Sequence, residues 1–335
     1  MTAAGARRLA WAVWTLAVAL IVAQLVFAIL NGGTAASGSE TLDYALTVPL
    51  LVLPTIGRLV ASRRPGHPVG WVLLASGLLL GFSALAEGWA MYALFTEPDS
   101  LPAPGEAAAV SSALFLVPLF AMPVLLFLLF PDGHLPSPRW RLVLWVGAIS
   151  LTATTLETAV AERLSDAPFE GVENPLGGGP LEAASGSVGW IGWPGLAVAV
   201  ILAATGMILR LRRSRGRQRQ QLKWMAAAAA LFALTTTVSV VSYFAGAESL
   251  GAVILVLGYA AIPIAAGAAI LRHRIYDIDL VINRALVYGS LTALLAGTYV
   301  GLALLLSLAL EPVTSGSDLA IALSTLGVAA SYLWR

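Results

Sequence analysis

Glu87 and Glu157 both fall inside long apolar stretches of this chain, and an ionisable group so placed is the first chemistry to weigh. At the centre of a bilayer a charged side chain costs about 2.5 kcal/mol or more unless it is paired, protonated or reached by water. Either carboxylate therefore reads as a ligand contact or a proton-sensitive switch, and both are candidate sensing residues. Each also reads as a protonated or water-reached carboxyl near the outer surface, evenly weighted against the first reading for Glu87 and favoured over it for Glu157. The histidines, His67, His134 and His273, share no spacing that resembles a chelating motif, so solvated loop positions are expected and a metal site is not. Cysteine is absent, which removes disulfides, thiolate ligands and cysteine nucleophiles. No Gly-rich phosphate loop, HExxH or GxSxG pattern stands at a credible place. No catalytic constellation emerges, and no cofactor is expected.

Two charged segments carry more information. The denser is residues 210–223, RLRRSRGRQRQQLK, with Arg210, Arg212, Arg213, Arg215, Arg217, Arg219 and Lys223. Beside a membrane such a run attracts anionic headgroups, by about 1 kcal/mol per basic residue near the surface. Plain anchoring of the adjoining spans explains it as well, and docking of a cytoplasmic partner is a third reading. The other segment, residues 272–284 (RHRIYDIDLVINR), sets Asp277 and Asp279 among Ile275, Ile278, Leu280, Val281 and Ile282. Ile275, Ile278 and Ile282 stand at i, i+3 and i+7, which predicts an interfacial amphipathic turn. A plain connector needs no such apolar content. Tyr276, Asp277, Asp279, Asn283 and Arg284 are therefore candidates for a cytoplasmic coupling element.

The elements that position these residues follow from composition. Of 335 residues 59% are hydrophobic and 11% charged, against about 25% charged in a soluble domain. A chain this apolar needs lipid as its solvent. The net charge of +1 points to no nucleic-acid partner. A membrane helix needs about 20 apolar residues, and ten windows qualify: 9–30, 45–60, 70–95, 108–130, 142–160, 190–211, 224–244, 251–271, 285–310 and 319–334. Each is expected to be helical, because lipid offers no partner to a backbone amide. The fold class expected is thus all-α, a single polytopic helical bundle. The first window is too long for a signal h-region and reads as a retained anchor.

Orientation follows from the basic residues. With ten spans, Arg7, Arg8, Arg58, Arg63, Arg64, Arg139, Arg141, the 210–223 run, Arg272, Arg274, Arg284 and Arg335 all fall on one side, and only Arg163 on the other. The opposite loops carry Glu97, Asp99, Glu106, Glu162, Glu170, Glu173 and Glu182. Both chain ends are therefore expected in the cytoplasm. Gly77/Gly81 and Gly297/Gly301 are GxxxG pairs, which permit close helix approach but are common in chains rich in glycine and alanine.

Several phrases resemble something known: RRPGHPVGW at 63–71, LFPDGHLPSPRWR at 129–141, ENPLG at 173–177, RGRQRQQLKW at 215–224 and LRHRIYDIDLVINRALVYGSLT at 271–292. They are similar to the amino-terminal membrane region of certain bacterial two-component sensor histidine kinases, from about residue 60 onward. The resemblance implies a bacterial inner-membrane protein that senses and transduces a signal. It implies a histidine kinase or response-regulator system as partner, and a homodimer. In that family a cytoplasmic linker, a phosphoacceptor-histidine domain and an ATP-binding domain follow the spans. Residues 1–335 contain neither of those domains, and His273 belongs to the juxtamembrane phrase. The expectation is a sensor module without kinase catalysis, with Glu87, Glu157 and the 161–189 loop as the sensing surface.

The alternative is a small-molecule transporter. Pro49, Pro54, Pro118, Pro123, Pro194 and Pro263 could break helices at a binding site, although no inverted repeat is visible. A membrane-embedded enzyme would need convergent acid, base or metal ligands, and none assemble.

Overall fold

The computed structural model describes residues 2–32, 40–165, 168–244 and 248–271. The last two windows lie outside the described residues, as do His273, Gly297/Gly301 and the coupling candidates Tyr276, Asp277, Asp279, Asn283 and Arg284. The described chain is helical throughout: α1 (Ala3–Leu30), α2 (Glu40–Arg63), α3 (Pro68–Met91), α4 (Pro104–Leu129), α5 (Arg141–Val160), α6 (Pro180–Arg213), α7 (Gly216–Phe244) and α8 (Glu248–Leu271). A π-helical turn, Tyr92–Thr96, extends α3, and a 3-10 turn, Pro138–Trp140, leads into α5. Helices α3, α4 and α6 open on Pro68, Pro104 and Pro180, where the fixed φ suits a first turn and the missing N–H has no partner to lose.

Among the described residues, seven helices are long and apolar enough to cross a bilayer. Their outward faces support the same reading. On α5, Leu142, Trp145, Ile149 and Leu156 are exposed, and on α6 Trp190 and Ile191 are 86% and 69% exposed. Such large apolar patches are not tolerated in water by a monomeric soluble protein. The chain is a multi-pass helical membrane protein.

Packing joins most sequence neighbours and also sets α1 against α3 and α2 against α8, and helices approach closely at small residues. A Cβ on Gly77 of α3 would lie 2.5 Å from Pro54 Cδ on α2, and one on Gly81 would lie 3.4 Å from the Ala17 carbonyl of α1. The Gly77/Gly81 pair thus seats α3 between α2 and α1. Helices α5 and α6 meet through Gly147 against Ala199. Helix α8 reaches back across the bundle, setting Gly267 against Ile56 of α2 and donating a 2.8 Å hydrogen bond from the Tyr259 hydroxyl to the Pro118 carbonyl of α4. Leu53, Leu73, Met122, Leu126, Met207 and Ile262 belong to the main core cluster.

Two helices start well before their apolar windows. Helix α6 begins at Pro180, not near 190, and α7 at Gly216, not near 224. The apolar window marks what hydrocarbon must cover, whereas backbone pairing continues into the headgroup layer. The basic run is therefore no loop. Arg210, Arg212 and Arg213 close α6, Arg217, Arg219 and Lys223 open α7, and only Ser214 and Arg215 stand between the helices.

Candidate functional site

The phrases with unusual charge meet at one end of the bundle. The Arg210 Nη2 group donates to the carbonyls of Phe127 (2.7 Å) and Leu128 (2.5 Å). These are among the last carbonyls of α4, which have no partner within their own helix, and a cation there also suits the helix dipole. Just beyond, the chain passes through Phe130 and a cis Phe130–Pro131 bond and turns at Gly133, whose φ is +79. The Gly133 amide donates to Leu129 O at 2.7 Å. A Cβ on Gly133 would stand 2.6 Å from Pro68 Cδ, so only glycine satisfies both the left-handed φ and the contact with α3.

His67 closes the same corner. Its Nε2 lies 2.7 Å from the Pro131 carbonyl, and since a carbonyl only accepts, the ring donates from Nε2. The expected solvated loop histidine is instead half-buried and bridges two connections. His134 is exposed, with Nδ1 2.9 Å from the Asp132 carbonyl. The Gln218 amide, in the first turns of α7, donates to Asp132 Oδ2 at 2.8 Å. Three residues further on, Gln221 donates to the Ala269 carbonyl in the last turn of α8 at 2.7 Å. Nearby, the Arg58 guanidinium lies over the rings of Trp11 and Trp14, 4.1 and 4.8 Å from their centroids. Thus 63–71, 129–141 and 215–224 are cross-bonded to one another and to the end of α8.

ENPLG, at 173–177, belongs to the other end. Asn174 is buried and donates from Nδ2 to the carbonyls of Ala159 (3.0 Å) and Ala161 (2.8 Å), closing the last turn of α5. Its Oδ1 accepts from the Leu176 amide. Pro175 presses on Gly105 at the start of α4. The connection folds over the bundle with Phe169 inserted beside Ala90, Met91, Ala108 and Ala109 and stacked on Phe95, 6.4 Å between centroids. Because α6 starts early, the connection spans 161–179, shorter than the expected 161–189. Arg163 forms an exposed pair with Glu173 at 3.3 Å.

Glu87 and Glu157 occupy different settings. Glu87 lies on the exposed face of α3. Glu157 lies in the α5–α6 seam, its carboxylate filling the space beside Gly189, and its buried Oε2 has no hydrogen-bond partner. Among the described residues no group of three or more His, Cys, Asp or Glu side chains is placed to share a metal ion. Sequence reasoning passed over Asp132, Asn174, Gln218 and Gln221, polar residues in phrases it had marked only as unusual.

Comparison with known proteins yields no matching family model, no matching curated protein and no matching solved structure. The class stands on the fold alone: a polytopic helical membrane protein with a bonded basic platform at one end and a docked connection at the other.

Proposed function

We propose that this chain is the membrane module of a bacterial signalling system, similar to the input region of sensor histidine kinases. In this reading ten spans place both ends in the cytoplasm of a cell with an inner membrane, and the basic platform faces anionic headgroups. The observation that carries it is the Gln221–Ala269 bond at 2.7 Å. It joins the α6–α7 junction to the end of α8, directly before residues 272–284 in the chain. A change in helix packing that moves the platform therefore pulls on the segment that contains Tyr276, Asp277, Asp279, Asn283 and Arg284. Driving two packing states from 1:99 to 99:1 needs about 5.5 kcal/mol of differential binding, within reach of a ligand acting on several helices.

The test is a photo-crosslinker placed at Asp277 or Arg284 of the chain in its native membranes, followed by mass spectrometry of the adducts. Crosslinks to a histidine kinase, to a response regulator or to a second copy of the chain are expected. Adducts no more abundant than those from a lipid-facing position such as Leu142, together with solute uptake by the purified protein in liposomes, would sink the reading in favour of a transporter.

A further inference from the structure

The α4–α5 connection and the α6–α7 junction flank a groove of about 350 Å3 at the basic end, more open to solvent than enclosed. Its polar wall is made by Asp132, His134, Arg210, Arg213, Ser214 and Gln218. That volume is within the range of small-molecule sites. The charge in the wall is unbalanced, since two guanidinium groups face one carboxylate, and Asp132 already accepts from Gln218 at 2.8 Å.

The arginines differ in freedom. Arg210 is fixed by its bonds to the α4 carbonyls, and its Nε is buried without a partner. Arg213 is exposed, and no hydrogen bond or ion pair holds it among the described residues. The setting adds to the excess. Helix α7 has no acidic residue in its first turn and carries Arg217 and Arg219 near its start. That is the reverse of what the positive end of a helix dipole favours. An anion in the groove offsets the crowding, and Arg210 is already held in place before it arrives.

We propose that this groove binds a phosphate group, seated against the Arg210 and Arg213 guanidinium groups with the Gln218 amide at its side. Arg210 is the rigid anchor, and Arg213 closes on the ligand with the forked donors that suit phosphate oxygens. The group comes either from a phosphomonoester lipid headgroup or from a soluble phosphate, and the inference stands whether or not the chain signals.

The experiment uses the full chain in nanodiscs of two kinds. In phosphatidylcholine discs inorganic phosphate is titrated by calorimetry. In discs doped with phosphatidic acid, retained lipid is counted by native mass spectrometry. Saturable phosphate binding assigns a soluble ligand, and retention of phosphatidic acid without phosphate binding assigns a lipid; either result carries the proposal. Arg213→Gln is expected to weaken binding about tenfold or more, the loss of a hydrogen-bonded charge contact. Arg212→Gln and Arg219→Gln remove the same charge from the same run outside the groove and should shift binding by about twofold or less, as solvated charges do. Asp132→Asn should tighten it. Melting midpoints of the variants, compared with wild type, separate loss of binding from loss of fold. Failure of both probes to bind, or equal losses in the Arg212, Arg213 and Arg219 variants, overturns the proposal.

Discussion

Replacing Phe169 with alanine should free the 161–179 connection while leaving the helices beneath it folded. Phe169 is 1% exposed, and its cluster is separate from the main core, so the loss is local. Truncating a buried phenylalanine costs about 3–5 kcal/mol. The lower figure applies here, because a surface connection relaxes into the gap more readily than a core does. The amides that report on the connection are its own: Leu164 donates to Val172 O at 3.0 Å and Gly171 to Leu164 O at 2.8 Å. Lowering the local opening energy by about 3 kcal/mol raises the open population about 100-fold, since each 1.4 kcal/mol is tenfold. Hydrogen exchange read by mass spectrometry on peptides covering 161–179, in nanodiscs, measures this directly. Arg163→Gln is the control: its pair with Glu173 is 61% and 83% exposed, is worth at most about 1 kcal/mol, and should speed exchange far less. Unchanged exchange in Phe169→Ala refutes the claim that the ring holds the connection. So does equal acceleration in α3 and α4, since the effect would then be global.

Gly77→Ala should lower the melting midpoint by an overpacking cost of about 1–3 kcal/mol, because the new Cβ meets Pro54 Cδ at 2.5 Å and Pro54 N at 2.8 Å. Gly66→Ala, with nothing within 4 Å of its Cβ, should leave the midpoint where it was, and parity between the two variants would contradict the packing described. Tyr259→Phe removes one buried hydrogen bond to Pro118 O and should cost about 1 kcal/mol. A midpoint equal to wild type would mean that this bond does not tie α8 to α4.

Apolar windows and flanking arginines made the helical class legible because lipid leaves the backbone no alternative. Helix starts were less legible than helix ends: the windows closing at 30, 160, 244 and 271 stop where α1, α5, α7 and α8 do, whereas α6 and α7 begin well before theirs. Nothing in the apolar content of residues 180–189 or 216–223 marks them as helical, since their backbone pairs internally whether water or headgroups surround it. The settings of Glu87 and Glu157 were equally hidden, because which face of a helix turns outward depends on neighbours distant in sequence. Gly189 on α6, across the seam from Glu157, carries no signal of that role in its own surroundings. His67 was misread for the same reason. A histidine between Gly66 and Pro68 looks solvated until Pro131, far along the chain, is brought to within 2.7 Å of it.

The polar residues in the unusual phrases share a task that explains why the phrases are unusual. Arg210 serves carbonyls at the end of α4, Gln221 one at the end of α8, and Asn174 those at the end of α5. Trp71 serves Pro65 in the turn before α3. A helix leaves its last carbonyls unpaired, and at a membrane boundary water is a poor substitute, so donors are recruited from neighbouring connections. A polar side chain at a span end is therefore first to be read as a cap for another helix. Subtracting those caps leaves Arg212, Arg213, Arg215, Arg217 and Arg219 without a bond among the described residues, and of these it is Arg213 that lines the groove it shares with Arg210. A ligand at the basic end is called for by the placing of Arg213 beside Arg210 in that groove, not by the density of arginine in the run.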